Sequence, residues 1–410
     1  FFADYVLPMG HASERHDVNS YATSAGKWVA FRQPVLREYA RREGREVEFT
    51  HEVNPGEVWE EDEFWNELSW RIDDGTMGIR EHFMSPYREG ERITIDEYYR
   101  YTFERVPGLP EAAAEEGLDA LGYMRKHGAF LIEDATYSKH EEEGWPTPSG
   151  KQELYSQTMI EFGYPEHAIP HYRIRSHVHP DNLQGEDEYC LLPNFRLPQH
   201  IHSRSANSKW LVEIGHRNPI WIHPKDATKL GVSEGDLLKI ETEIGWFVDK
   251  VWVTEGIKPG VVGCSHHIGR WRRSQDRGNR FLTNEVAIEN LGEGRMRMRT
   301  VSGVEPWKSD DPDTNRVWWR DGGVHQNITH AVQPDPISGA HCWLQKVRLS
   351  RPGPNEKYGD VEVDTNKSFE YYKRWNEMAK QRETHPRGER RPLWMKRPLP
   401  PRKEHWFMPE

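Results

Sequence analysis

From Glu188 onward the chain breaks into short apolar runs that no single helix or long strand can absorb. They are Tyr189-Cys190-Leu191-Leu192, Pro219-Ile220-Trp221-Ile222, Leu237 to Thr242 and Phe247 to Val253. Between them stand the turn residues Gly231, Gly235-Asp236, Gly245 and Pro259-Gly260. Strands this short bury their apolar faces only by closing on one another, so the spacing predicts a compact β-barrel.

The preceding part reads differently. Val35, Leu36, Tyr39 and Ala40 fall at helical spacing within 34–41. Phe64, Trp65, Leu68 and Ile72 follow the acidic turn Glu61-Asp62-Glu63, which predicts a docked amphipathic helix. Further helices are expected over 95–103 and 111–126, the latter ending near Gly128. The opening Phe2 to Pro8 suits a buried strand stopped by Pro8-Met9-Gly10. The expected fold class is thus an α/β part-domain over 1–175, a C-terminal β-barrel over 176–352, and an extended basic, Pro-rich tail over 353–410. Eight Lys or Arg lie between Arg382 and Lys403 in that tail, which fits a segment wrapping a partner.

At roughly 100–200 residues per domain, 410 residues fit two or three domains with a sizeable core. Hydrophobic residues reach only 35%, but aromatics reach 11% and supply burial that aliphatic side chains do not. Cys190, Cys264 and Cys342 are too dispersed for a disulfide framework or a self-contained iron-sulfur site. That pattern leaves the compartment open. No apolar run of about 18 residues occurs, and the mean hydropathy of -0.90 argues against a membrane-spanning helix. Phe1-Phe2-Ala3-Asp4 has no initiator Met and reads like the interior of a longer protein, so the chain is expected to be a C-terminal part.

The self-announcing catalytic motifs are absent: there is no P-loop, G-x-G-x-x-G, G-x-S-x-G or H-E-x-x-H. Histidines cluster instead, at His177/His179, His200/His202 and Cys264-Ser265-His266-His267. Zinc held by Cys264, His266 and a third ligand is conceivable, though adjacent strand residues point to opposite faces. Arg196, His200, His202, Arg204 and Asn207 crowd donors onto one segment, as a pyrophosphate-bearing ligand requires, or as a solvated loop does. The net charge of -11 makes a broad nucleic-acid-binding face improbable despite Arg270-Trp271-Arg272-Arg273.

Several segments together resemble one family. Ala3-Asp4-Tyr5-Val6-Leu7-Pro8 with Glu14 is similar to an A-D-x-V-L-P...E stretch, and Thr147-Pro148-Ser149-Gly150-Lys151-Gln152-Glu153-Leu154-Tyr155-Ser156 to T-P-S-G-K-x-E-L-Y-S. Asn218 to Ala227, Leu230-Gly231-Val232, Glu234-Gly235-Asp236 and Gly256 to Val262 resemble a dinucleotide-binding barrel signature. Asn327-Ile328-Thr329 and Asp335-Pro336-Ile337-Ser338-Gly339 look like its N-x-T...D-P-I-S-G ending. The family is that of molybdopterin-dependent oxidoreductases of the dimethyl sulfoxide reductase type, whose catalytic subunits bind two molybdopterin guanine dinucleotides around Mo or W. The ending leans towards the polysulfide, thiosulfate, tetrathionate and arsenate reductase branch.

The resemblance implies a double-psi type molybdopterin dinucleotide-binding barrel. It places Arg196, His200, His202, Ser203 and Asn207 near one cofactor, Asn218 and Asp226 near a guanine or its phosphates, His266 and His267 near the pterin, and Asn327 at a pterin edge. Asp226 has an alternative role, capping a helix that begins at Ala227, and His202 another, as a satisfied loop histidine. The resemblance also implies an iron-sulfur cluster and the metal-ligating residue in an N-terminal half, an iron-sulfur electron-transfer subunit, a possible membrane anchor and a small-molecule substrate. Two alternatives stay open: a cofactor-free structural subunit of a respiratory complex, and a non-redox hydratase or transhydroxylase. The loop Cys264 to His267 lacks the glycines of the family's version, and the insertion from Arg272 to Arg320 is long.

Overall fold

The computed structural model describes residues 5, 7–20, 27–133, 139–145, 147, 149–161, 164–170, 183, 185–193, 197, 202, 208–276, 280–308, 310, 312, 315, 318–333, 340, 341 and 343–377. Its contacts divide the chain into two compact units, one over 2–146 and one over 147–410.

The N-terminal unit is a three-stranded antiparallel sheet covered by helices. The sheet runs in the order β1 (Asp17–Ser20), β2 (Lys27–Arg32) and β3 (Ala129–Glu133). Its helices are α1 (Val35–Arg42), α2 (Glu61–Ile72), α3 (Ile95–Phe103), α4 (Leu109–Glu115) and α5 (Ala120–His127). Val29 and Phe31 of β2 pack on Ile95, Tyr99 and Phe103 of α3 and on Leu121 and Met124 of α5. A reciprocal cap starts α3: Thr94 Oγ1 accepts from Glu97 N (3.2 Å), and Glu97 Oε2 accepts from Thr94 N (2.9 Å).

The single helix expected over 111–126 is two. Gly117 turns the chain with φ +69°, and Asp119 restarts a helix by accepting from Gly122 N at 2.6 Å. Gly128, at φ +75°, ends α5 where a helix stop was expected. α2 has the expected extent but not the expected buried face. Glu63 is its buried residue, whereas Trp65 and Ile72 are about half exposed. The described residues of the opening segment form no strand, and Tyr5 and Leu7 are exposed. The pairing of its described residues is a bridge between Met9 and Trp59.

The second unit is built on β4 (Glu188–Leu192), β5 (Ile220–Ile222), β6 (Leu237–Glu241), β7 (Gly245–Val253), β8 (Val261–Gly263) and β12 (Gln345–Ser350). They pair in the order β5-β8-β4-β12-β6-β7, and β7 pairs back to β5, closing a six-stranded barrel. β4 with β8 and β5 with β7 are parallel; the other barrel pairs are antiparallel. Alternate residues point inward: Tyr189 and Leu191, Leu238 and Ile240, Phe247 and Val251 are all buried in one core.

The long insertion is a folded extension of this sheet. β9 (Trp271–Arg272), β10 (Asn284–Gly292) and β11 (Arg295–Ser302) continue it through β13 (Val361–Asp364), which pairs with β7. The tail expected from residue 353 therefore begins with this strand and the helix Thr365–Glu377. Glu362 accepts from both Arg295 and Arg297, ion pairs that a reading of apolar periodicity does not register. The basic stretch after Arg382 lies outside the described residues.

Candidate functional site at the barrel mouth

The helix Pro224–Leu230 leads to β6, and Asp226 within it accepts a hydrogen bond from Gly260 N at 2.8 Å, just before β8. The cap of that helix is His223, whose Nδ1 accepts from Lys225 N, so the capping role considered for Asp226 does not hold. β8 then delivers Cys264 to His267. Asn218 secures this loop: its Nδ2 donates to Ser265 O (2.8 Å) and Val324 O (2.9 Å), and its Oδ1 accepts from Val324 N (2.9 Å). Asn218 is buried and holds two backbone segments together. No side chain is tolerated where they meet, because a Cβ on Gly269 would lie 2.1 Å from Val324 O.

This tie brings together residues far apart in sequence. The His202, His266 and His267 rings lie 4.3–4.9 Å apart between centroids. Their nearest ring nitrogens all fall within 4.8 Å of one another. His202 is held at a positive φ of 45°. His266 Nδ1 sits 3.0 Å from Pro193 O, so it carries the proton and leaves Nε2 as an acceptor in the neutral ring. Cys264 is not part of this set. It is buried, burial pushes its thiol well up, and Sγ donates to Asn218 O at 3.1 Å, which removes the thiolate that zinc requires.

Asn327 approaches the same loop, with Nδ2 at 3.5 Å from His266 O. Next to it, the 3-10 turn Gln326–Thr329 carries polar groups that sequence reasoning passed over: Gln326, His330 and, beyond them, His341 beside Trp343. Burial pushes His330 down to about 3, helped by His341, His325 and His266, and pushes His325 down to about 4. These rings are neutral near pH 7. The missed signal was the run His325-Gln326-Asn327 to His330, dense in planar polar side chains.

Several polar atoms here have no hydrogen-bond partner among the described residues, although they are buried. They are both amide atoms of Gln326, Oδ1 of Asn327 and Nε2 of His330. A buried polar group without a partner costs about 1–3 kcal/mol, so such a group of them marks a surface made for an external partner. Of the expected cofactor residues, the structure brings together His202, His266, His267 and Asn327. It commits Asn218 and Asp226 to backbone atoms. Arg196, His200, Ser203 and Asn207 lie outside the described residues.

The family described as the Molydopterin dinucleotide binding domain matches residues 191–292, which carry most of this barrel. The thiosulfate reductase molybdopterin-containing subunit of Salmonella typhimurium is 32% identical over 269 residues, covering 64% of this chain and 31% of its own length. The arsenate respiratory reductase molybdopterin-containing subunit of Chrysiogenes arsenatis is 24% identical over 343 residues, 75% of this chain and 38% of its own. A trimethylamine-N-oxide reductase of Haemophilus influenzae is 30% identical over 286 residues, 66% of this chain and 30% of its own. These matches support reading the chain as a C-terminal part of a dimethyl sulfoxide reductase-type subunit. The chain spans about a third of the length of these relatives.

A molybdopterin dinucleotide is thus the cofactor class of the matched barrel, and the residues present fit it. Pterin and guanine are flat rings edged by donors and acceptors. Amides and neutral imidazoles match such edges, each offering a donor and an acceptor in one plane.

Proposed function

We propose that this chain is the dinucleotide-gripping portion of a catalytic subunit that performs oxygen-atom or two-electron transfer, with two molybdopterin guanine dinucleotides around Mo or W. One observation carries the reading: the buried, unpartnered amide of Gln326 and the unpartnered Oδ1 of Asn327 stand beside the His202, His266 and His267 cluster in a barrel of dinucleotide-binding type. When bound, the cofactor supplies the redox chemistry. The chain's own residues hold and orient it. His266, fixed by Pro193 O, presents Nε2 as an acceptor, and Asn327 meets a ring edge with its free oxygen. Asn218 keeps both segments in register.

Arg196, His200, Ser203 and Asn207 complete the grip in this proposal, as phosphate and edge partners. The metal-ligating residue and an iron-sulfur cluster belong to an N-terminal part, and electrons pass through an iron-sulfur partner subunit. The supporting fact is that relatives about three times as long are named as molybdopterin-containing reductase subunits.

The test is pterin and metal content of the purified protein together with its N-terminal part. Asn327→Leu is expected to lower pterin content several-fold while circular dichroism stays unchanged. A wild-type preparation with neither pterin nor Mo or W would overturn the proposal.

A further inference from the structure

A cleft of about 430 Å³ opens in the N-terminal unit, lined by Leu7, His51, Trp59, Phe64, Leu68 and Arg71 among others. Its most ordered feature is a stack: the His51 ring lies over Trp59 with centroids 3.8 Å apart and planes 14° from parallel. Behind the stack, His51 Nδ1 and Glu63 Oε2 face each other at 4.0 Å. Both atoms are buried, and neither has a hydrogen-bond partner among the described residues. The Glu63 side chain is only 2% exposed, and its other oxygen, Oε1, accepts from Thr50 N at 2.7 Å.

A buried carboxylate next to an imidazole usually closes a short hydrogen bond, because an unpaired buried polar atom is costly. Here the pair stops short of contact, and His51, but not Glu63, lines the cleft. We infer that this cleft binds a planar, neutral weak acid of the phenol class, stacked among Trp59, Phe64 and Leu68, with its O–H donating to His51 and His51 Nδ1–H donating to Glu63. Occupancy draws the ring and the carboxylate together and satisfies both buried atoms.

The chemistry selects this ligand class over others. Burial pushes His51 below the usual imidazole range, so near neutral pH the ring accepts a proton donor rather than pairing with an anion. Glu57 and Glu67 also line the cleft, with Arg71 and Arg92 on Glu67, while Glu52 lies near His51 and Glu60 and Arg37 near Glu63. Carboxylates outnumber cations around the opening, which disfavours a phenolate or a carboxylic acid. A cleft of this size with aromatic walls suits one ring.

The test compares phenol with toluene, which has the same shape without the hydroxyl, by saturation-transfer NMR and calorimetry on the purified full chain. Phenol is expected to bind about tenfold more tightly than toluene, the effect of one buried hydrogen bond. His51→Phe should abolish that preference while keeping toluene binding, and Glu63→Gln should reduce the preference several-fold. Melting curves establish that each variant folds, and Glu63→Gln provides the readout if His51→Phe does not. Equal affinity for phenol and toluene, no binding of either, or a preference that survives both substitutions would overturn the inference.

Discussion

The two units differ in the kind of buried side chain that anchors them. In the N-terminal unit the anchors are charged groups paired with one another, although single atoms such as Arg37 Nε, His16 Nε2 and Asn54 Oδ1 stay unpaired. Arg37, 2% exposed, donates to Asp96 and to Glu48 O, and Asp96 also receives Arg41 and Arg125. Burial pushes the Asp96 carboxyl up, but the three guanidinium groups outweigh it and hold it at about 2. Asp73 accepts four backbone N–H groups, which hold it likewise at about 2. His16 bonds both oxygens of Glu60, and Thr50 Oγ1 adds a third partner. At the barrel mouth, in contrast, neutral amides and imidazoles are buried with bonds left unmade. The N-terminal amides Gln33, Asn54 and Asn66 each keep one bonded atom, whereas Gln326 at the barrel mouth has neither atom bonded among the described residues. In the N-terminal unit, His51 Nδ1 and Glu63 Oε2 are two unpaired buried atoms that face each other.

The comparison breaks most visibly if its paired charges prove dispensable. Asp96→Ala should destabilise the N-terminal unit by about 3–5 kcal/mol, because it strands the buried Arg37 guanidinium. Denaturant unfolding followed through the unit's tryptophans measures this, and a loss below about 1 kcal/mol would show that the network is not structural.

A smaller effect concerns Glu63, which burial raises to about 7. An acid whose folded pKa lies above its unfolded value contributes stability that is complete below the unfolded pKa, near 4.5, and is lost as pH rises through the folded one. The N-terminal unit should therefore lose about 3 kcal/mol between about pH 5 and 8. Glu63→Gln should flatten that dependence in denaturation curves taken across the range.

The smallest effect is expected at the barrel mouth. Gln326→Leu removes two unpartnered polar atoms, so without cofactor it should change stability by less than about 1 kcal/mol in either direction. Pterin content should nevertheless fall. A large stability loss without cofactor would mean that Gln326 has structural partners and that the contrast between the units is false.

Much of the framework was legible in the sequence because it is local. The runs around Tyr189, Ile220, Leu238 and Phe247 become barrel strands, since their period and flanking turns leave few other ways to bury them. The helix over 95–103 and the glycine stop at Gly128 were equally local. What was misread depended on partners. The opening segment has strand-like composition but, among its described residues, pairs at a single bridge, and α2 turns Glu63 inward although its apolar periodicity pointed to Trp65 and Ile72. Residues 353–377 looked like tail because the ion pairs that seat β13 involve Arg295 and Arg297, more than sixty residues away.

The candidate site divides along the same line. Residue type and family resemblance singled out His202, His266, His267 and Asn327, and the structure brings these four together. The sequence thus determined the strand and helix segments, the barrel and the class of cofactor, because those follow from periodicity and from motifs contained in short stretches. Only the tertiary structure decided which donors stay open. Asn218 and Asp226 have the right chemistry for a ligand but are bonded to backbone atoms, while Gln326, equally polar, is left unpaired. Whether a polar side chain binds a ligand or its own chain depends on which backbone groups the closed barrel brings within about 3 Å of it, and no local pattern encodes that distance.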